Sequence, residues 1–153
     1  MTAKIKKLNA FDLQEFVQLI QVFEDVFEMK NFVMPNEKHL QNLLAQENFM
    51  AFVAMDENSK VVAGLTAYTL TQYYATKPLV YIFDLAVTKS RQRNGIGKAL
   101  IAEINRYCKD SGMEEVFVQA DAVDDYAVEF YRATGGIPES VFHFYYPLNK
   151  NDN

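Results

Sequence analysis

The chain has 153 residues, 50% of them apolar and 14% aromatic, which is enough to close a core and excludes a disordered chain. Its 20 acidic residues outnumber 15 lysines and arginines for a formal charge of −5, arguing against nucleic acid as a main partner while remaining compatible with a cationic small molecule. No apolar stretch approaches the roughly 20 residues of a membrane span, Met1–Asn9 shows no leader cleavage pattern, and the lone Cys108 cannot form an internal disulfide, so a cytoplasmic protein away from membranes is expected.

In chain order, Lys4–Leu8 reads as a short strand. Asp12 then caps a helix whose Phe16, Leu19, Ile20, Phe23 and Phe27 recur at helical spacing. Pro35-Asn36 interrupts, and His39, Leu40, Leu43 and Leu44 mark a second helix. Phe49–Met55 and Val61–Leu70 form a hairpin around the turn Asp56-Glu57-Asn58-Ser59. After a loop, Tyr81–Val87 is apolar on both faces apart from Asp84, the pattern of a central strand. The helix from Ile96 carries Leu100, Ile104 and Cys108 on one stripe and stops at Gly112; Cys108 reads as a packed residue. Val116–Ala120 is a further strand, and Asp124 or Asp125 caps a helix through Val128 and Tyr131 to Gly135-Gly136. Phe142–Tyr146 reads as a final aromatic strand in which His143 is packed, with an extra short strand near Ile137. Early antiparallel strands followed by a βαβ crossover predict an α+β fold, a mixed central sheet flanked by about four helices. The expected domain covers residues 1–148, with a frayed tail at 149–153.

Between the central strand and the next helix lies Gln92-Arg93-Asn94-Gly95-Ile96-Gly97. Strand, glycine turn and helix in that order make an anion cradle, because glycines permit close backbone approach and the first helical N–H groups point outward. The helix dipole adds partial positive charge, and Arg91, Arg93 and Lys98 add formal charge. A P-loop and a dinucleotide fingerprint are both excluded by spacing, since Leu100 stands where the latter needs its third glycine. By itself the hexapeptide is also compatible with an ordinary strand-to-helix turn.

In that position the pattern [QR]-x-x-G-x-[GA] resembles the acetyl-CoA loop of the GNAT superfamily of N-acetyltransferases, and the order of elements is similar to the GNAT order. Within it, Tyr81-Ile82-Phe83-Asp84-Leu85-Ala86-Val87, Val118-Gln119-Ala120-Asp121 and Asp124-Asp125-Tyr126-Ala127-Val128-Glu129-Phe130-Tyr131 resemble the type I aminoglycoside (gentamicin) 3-N-acetyltransferases. Gly64-Leu65-Thr66-Ala67-Tyr68 and His143-Phe144 fit the same family.

The resemblance implies direct acetyl transfer from acetyl-CoA to an amine in a ternary complex, with no metal. It implies that the backbone of Leu85, Ala86 and Val87 holds the pantetheine arm and that Gln92, Arg93, Asn94, Gly95, Ile96, Gly97 and Lys98 hold the pyrophosphate. Ala127 and Val128 would flank the thioester. It places the catalytic carboxylate at Asp84, where burial raises a carboxyl pKa towards the range of a useful general base. The competing reading is a buried aspartate satisfied by backbone N–H groups or a tyrosine. The hydroxyl of Tyr131 would protonate the departing thiolate, unless that ring is simply packed on the sheet. Asp121, Asp124 and Asp125 would attract a polycationic aminoglycoside, or serve only as caps and turns. A homodimer is implied by fold analogy alone.

The substrate side departs from the family pattern. Where relatives often carry glutamates this chain has Gln72-Tyr73-Tyr74-Ala75-Thr76-Lys77-Pro78-Leu79, and Tyr145-Tyr146-Pro147 replaces acids after His143-Phe144. Two alternatives therefore stand beside the aminoglycoside reading: acetylation of another amine, such as a polyamine or peptide, and a non-catalytic acetyl-CoA-binding module.

Overall fold

In the computed structural model, residues 3–149 are described. The strands β1 (Lys4–Lys7), β2 (Phe49–Met55), β3 (Val61–Leu70), β4 (Leu79–Val87) and β5 (Glu115–Val118) form one sheet in that order. Neighbours from β1 to β4 are antiparallel and β4 pairs with β5 in parallel, so the sheet is mixed. The helices are α1 (Leu13–Val26), α2 (Glu37–Leu44), α3 (Ile96–Asp110) and α4 (Asp125–Ala133).

Strand alternation sorts the two faces. Gly64 of β3 lies opposite Val53 and under Leu19 of α1, which fixes that face as the one covered by α1. There Phe16, Leu19, Val22 and Phe23 join Phe49, Ala51, Val53 and Ala86 in one buried cluster, with Leu40 and Leu44 of α2. Phe52 points the other way, its ring edge-on to Tyr107 of α3 at 5.9 Å. On that side Leu100, Ile104 and Cys108 are buried. Cys108 is thus the packed residue expected, and burial pushes its thiol pKa up, away from nucleophilic use.

Local chemistry accounts for most boundaries. Asn36 caps α2 by accepting the His39 N–H at 2.8 Å. Gly112 follows α3 with φ 78°, and Gly135 follows α4 with φ 96°, the left-handed position that glycine supplies after a helix. Asp12 behaves differently from expectation. Its carboxylate makes no cap bond to α1; it accepts the Asn9 N–H and the Lys6 ammonium instead.

Contacts divide the chain into two compact units at Ala120/Asp121. The first contains the sheet with α1, α2 and α3; the second contains α4 and the extended residues after it. The expected strand at Phe142–Tyr146 does not form, nor does the one near Ile137, because the second unit offers no other strand to ladder with. His143, expected to be packed there, is exposed and stacks on Tyr145 at 6.4 Å. The tail expected to fray lies, from residue 150 on, outside the described residues. Among the described residues, no helix is long and apolar enough to cross a membrane.

Candidate active site

The sheet places Asp84 through an irregularity in β4. Thr66 pairs with Asp84 while its neighbour Ala67 pairs with Ile82, so Phe83 is the extra residue of a β-bulge. In an unbroken strand Ile82 and Asp84 would share a face. The bulge turns Asp84 to the Thr66 side, which also bears Gly64, Tyr68 and Tyr81 and is the α1 side. Without it the carboxylate would enter the dry packing against α3. The exposed Phe83 ring stands edge-on to Tyr68 at 5.8 Å and to Tyr81 at 6.1 Å, so an aromatic wall flanks the carboxylate's strand. Tyr81 also stacks on Phe117 at 4.9 Å, and its hydroxyl donates to Gln119 Oε1 at 3.3 Å.

Asp84 is half-buried, and lost hydration pushes its carboxyl above the ordinary value of 3.8. No cation or hydrogen-bond donor among the described residues acts to pull it back. A carboxylate desolvated without compensation has the chemistry of a proton acceptor.

The β4–β5 ladder runs only from Leu79↔Glu115 to Ile82↔Val118, whereas β4 continues to Val87. Within the first unit, the β5-side edge of Leu85, Ala86 and Val87 therefore has no strand partner. Its backbone groups suit an extended ligand that pairs as a strand does. Beyond it, Thr88 leads into a 3-10 turn at Lys89–Arg91, and Gln92 donates its side-chain N–H to the Val87 carbonyl at 2.9 Å.

Arg93 and Gly95 both adopt positive φ, at 66° and 81°, and Gly95 is the N-cap of α3. A glycine cap supplies no side-chain acceptor, the first turn carries no acidic residue, and the first intrahelical bond is Ala99 N–H to Gly95 O. The N–H groups of Ile96, Gly97 and Lys98 thus lie ahead of the helical ladder. Arg93, Asn94, Gly95 and Lys98 are exposed; Ile96 and Gly97 are buried. This turn fits an anion such as a pyrophosphate in donor geometry, charge and access.

A Cβ on Gly95 would meet nothing within 4 Å, so it is the left-handed backbone, not crowding, that calls for glycine in this turn. Gly95→Val is accordingly expected to weaken binding of CoA about tenfold, since left-handed backbone costs a non-glycine residue roughly 1–2 kcal/mol. Calorimetric titration checks this, and unchanged affinity removes the turn from cofactor binding.

The remaining predicted residues belong to the second unit. Asp124 Oδ1 accepts the Ala127 N–H at 3.1 Å, which is the capping role set out for one of the adjacent aspartates. Asp125 opens α4 and Asp121 precedes it, both exposed. Ala127, Val128 and Tyr131 are partly buried on α4. Asp84, the β4 edge and the glycine turn are thus brought together by the first unit, while the acids and Tyr131 are grouped by the second. A shallow 430 Å³ depression at the end of α1, lined by Gln21, Glu24, Asp25, Glu28, Met29 and Lys89, contains none of the predicted residues. Among the described residues, no cluster of three or more His, Cys, Asp or Glu is arranged to hold a metal.

A bulged central strand, a parted β4–β5 pair and a glycine turn at a helix N-terminus are the features that the first unit sets along one strand. Residues 16–135 match the acetyltransferase (GNAT) family, and the chain belongs to that family. It is similar to the crystal structure of an aminoglycoside acetyltransferase from an uncultured soil metagenomic sample in complex with trehalose. The identity is 57% over 97% of both chains, with a TM-score of 0.94. A structure of that enzyme in complex with sisomicin matches at 56% identity with the same coverage, 97% of each chain, and a TM-score of 0.94. A second soil metagenomic aminoglycoside acetyltransferase is 29% identical over 97% of this chain and 100% of its own, with a TM-score of 0.90. Comparison with curated protein sequences gives no significant match.

Proposed function

We propose that this GNAT acetyltransferase is an antibiotic-modifying aminoglycoside 3-N-acetyltransferase that uses acetyl-CoA and works in the cytoplasm. The observation that carries the substrate class is the 57% identity, over 97% of both chains, to an aminoglycoside acetyltransferase. The relative solved with sisomicin supports a polycationic amino sugar as acceptor.

The cosubstrate supplies the acetyl thioester. In this reading, Leu85, Ala86 and Val87 align the pantetheine arm along the open edge of β4. The turn from Gln92 to Gly97, with Lys98, binds the pyrophosphate. Asp84 takes a proton from the acceptor ammonium, which frees the nitrogen lone pair to form the new C–N bond as the C–S bond breaks. Tyr131 gives its hydroxyl proton to the leaving sulfur and is reprotonated, through solvent, by the second proton the nitrogen loses as it becomes an amide, while Asp84 releases the first proton to solvent. Ala127 and Val128 flank the thioester, and Asp121, Asp124 and Asp125 attract the acceptor's ammonium groups. A homodimer completes the proposal by analogy with the fold.

The exposed Tyr73, Tyr74, Tyr145 and Tyr146 favour a second reading, acetylation of another amine, because aromatic faces hold cations without a defined carboxylate pattern. The test is thiol release from acetyl-CoA with gentamicin, sisomicin, kanamycin, spermidine and a short peptide. Turnover with gentamicin and sisomicin is expected, and NMR of the product is expected to show the acetyl group on the 3-amino nitrogen. Acetylation elsewhere on the sugar overturns the regiochemistry. Turnover on spermidine or peptide alone overturns the antibiotic assignment.

A further inference from the structure

The hairpin turn between β2 and β3 is far from the glycine turn in sequence, yet the two are joined by an ion pair. Asp56 uses its carboxylate oxygens for separate tasks. Oδ1 accepts the N–H groups of Asn58 at 2.9 Å and Lys60 at 3.0 Å, which closes the hairpin turn. Oδ2 faces Arg91 Nη2 at 3.5 Å. The Asp56 side chain is 7% exposed and that of Arg91 22%, so water screens the pair less than it would a surface pair. The turn N–H groups, the Arg91 charge and the nearby Lys60 all hold the Asp56 carboxyl below its ordinary value, the Lys60 N–H most strongly.

Arg91 ends the 3-10 turn that leads to the glycine turn, and its own N–H donates to the Thr88 carbonyl at 2.8 Å. Thr88 N–H in turn donates to Val62 O at 2.8 Å, and Gln92 returns to Val87 O at 2.9 Å. The connection from β4 to the glycine turn is therefore fixed along its length by backbone bonds and from the side by Asp56. Charge near the turn makes Arg91 a candidate for direct support of a bound anion, and its guanidinium also faces the hairpin carboxylate.

We infer that Asp56 is a positioning residue for the cofactor turn, holding Arg91 so that the donors from Gln92 to Lys98 are pre-arranged for the pyrophosphate of CoA. The inference rests on the acetyl-CoA reading above. Loss of the pair loosens the turn without touching the acid and base, so it weakens cofactor affinity and leaves the chemical step alone.

Asp56→Asn is the sharp test. The amide keeps an oxygen for the two turn N–H groups but presents to Arg91 an NH2 that cannot accept. Calorimetric titration of CoA into the whole protein is expected to show Kd raised about three- to tenfold for Asp56→Asn and for Arg91→Gln alike. The double variant is expected to be no worse than the weaker-binding single, because both remove one interaction. The KM for acetyl-CoA should rise in parallel while kcat at saturation holds. Thermal melts identify any loss of the hairpin in Asp56→Asn, in which case Arg91→Gln decides.

Unchanged Kd in folded Asp56→Asn overturns the inference. So does an additive double variant, which would mean that Arg91 contacts the anion itself. Absence of CoA binding in the unaltered protein overturns the cofactor reading as well, and is thereby distinguished from failure of Asp56 alone.

Discussion

Asp84→Asn is expected to lower kcat for amine acetylation by about 10²–10⁴ while leaving the affinity for acetyl-CoA unchanged. The asparagine has the same shape, fits the same bulge and cannot take a proton. The open β4 edge and the glycine turn are backbone features, so cofactor binding gives an internal control on folding. A variant with near-normal kcat and an unshifted pH profile removes Asp84 from the mechanism.

The direction of the pKa shift adds a second readout. A general base works when deprotonated, and burial holds the Asp84 carboxyl above its ordinary value of 3.8, so kcat/KM should rise with pH through that raised value. Stability moves oppositely. Between the ordinary and the raised pKa the folded state binds more proton than the unfolded state, so the contribution of Asp84 to stability is full below the ordinary value and falls as pH rises through the raised one. Asp84→Asn removes this dependence and should melt no lower than the unaltered protein at neutral pH. A variant both inactive and less stable would instead mark a structural role.

What the sequence made legible was local. Gly95 and Gly97 between an apolar run and an amphipathic one announce a strand, turn and helix, and a lone aspartate inside Tyr81–Val87 stands out against its neighbours. Features that depend on pairing between distant segments were hidden. The bulge at Phe83 exists only relative to Thr66 and Ala67 of β3, and strict alternation alone would place Asp84 on the same face as Ile82. The wall of Tyr68, Tyr81 and Phe83 follows from that register, and its only trace in the sequence was an unusual density of rings. Arg91 was read from its neighbours in sequence, while its partner Asp56 lies 35 residues away. Asp12 had the composition of a cap, but Lys6 on the adjacent strand competed for its carboxylate. Phe142–Tyr146 has the alternation of a strand, yet a strand needs an edge as well as a pattern, and its own unit supplies none.

Gly64→Ala is expected to cost about 3 kcal/mol of stability, at the upper end of what overpacking a core produces. A Cβ there would lie 2.5 Å from Leu19 Cδ1 and 2.5 Å from the Phe52 carbonyl oxygen. Leu19 is fully buried and the carbonyl belongs to the β2–β3 ladder, so neither can move aside without disturbing the core. For a chain of this size, that cost lowers the melting temperature by roughly 6–12 °C. Leu19→Ala in the same protein separates the two contacts. It removes the side-chain half of the clash but leaves the carbonyl, so the penalty of Gly64→Ala should shrink in that background without vanishing. Full relief would show that only Leu19 requires the glycine, and an unshifted melting temperature in the single variant would show that α1 does not approach the sheet this closely. The approach matters beyond stability. Gly64 pairs with Ala86, two residues along β4 from Asp84 and on the same α1 side of the sheet. Pushing α1 outward there admits water towards a carboxylate whose use as a base depends on being partly dry. Gly64→Ala should therefore also move the alkaline-rising limb of kcat/KM towards the ordinary carboxylate range, a shift that general loss of stability would not produce.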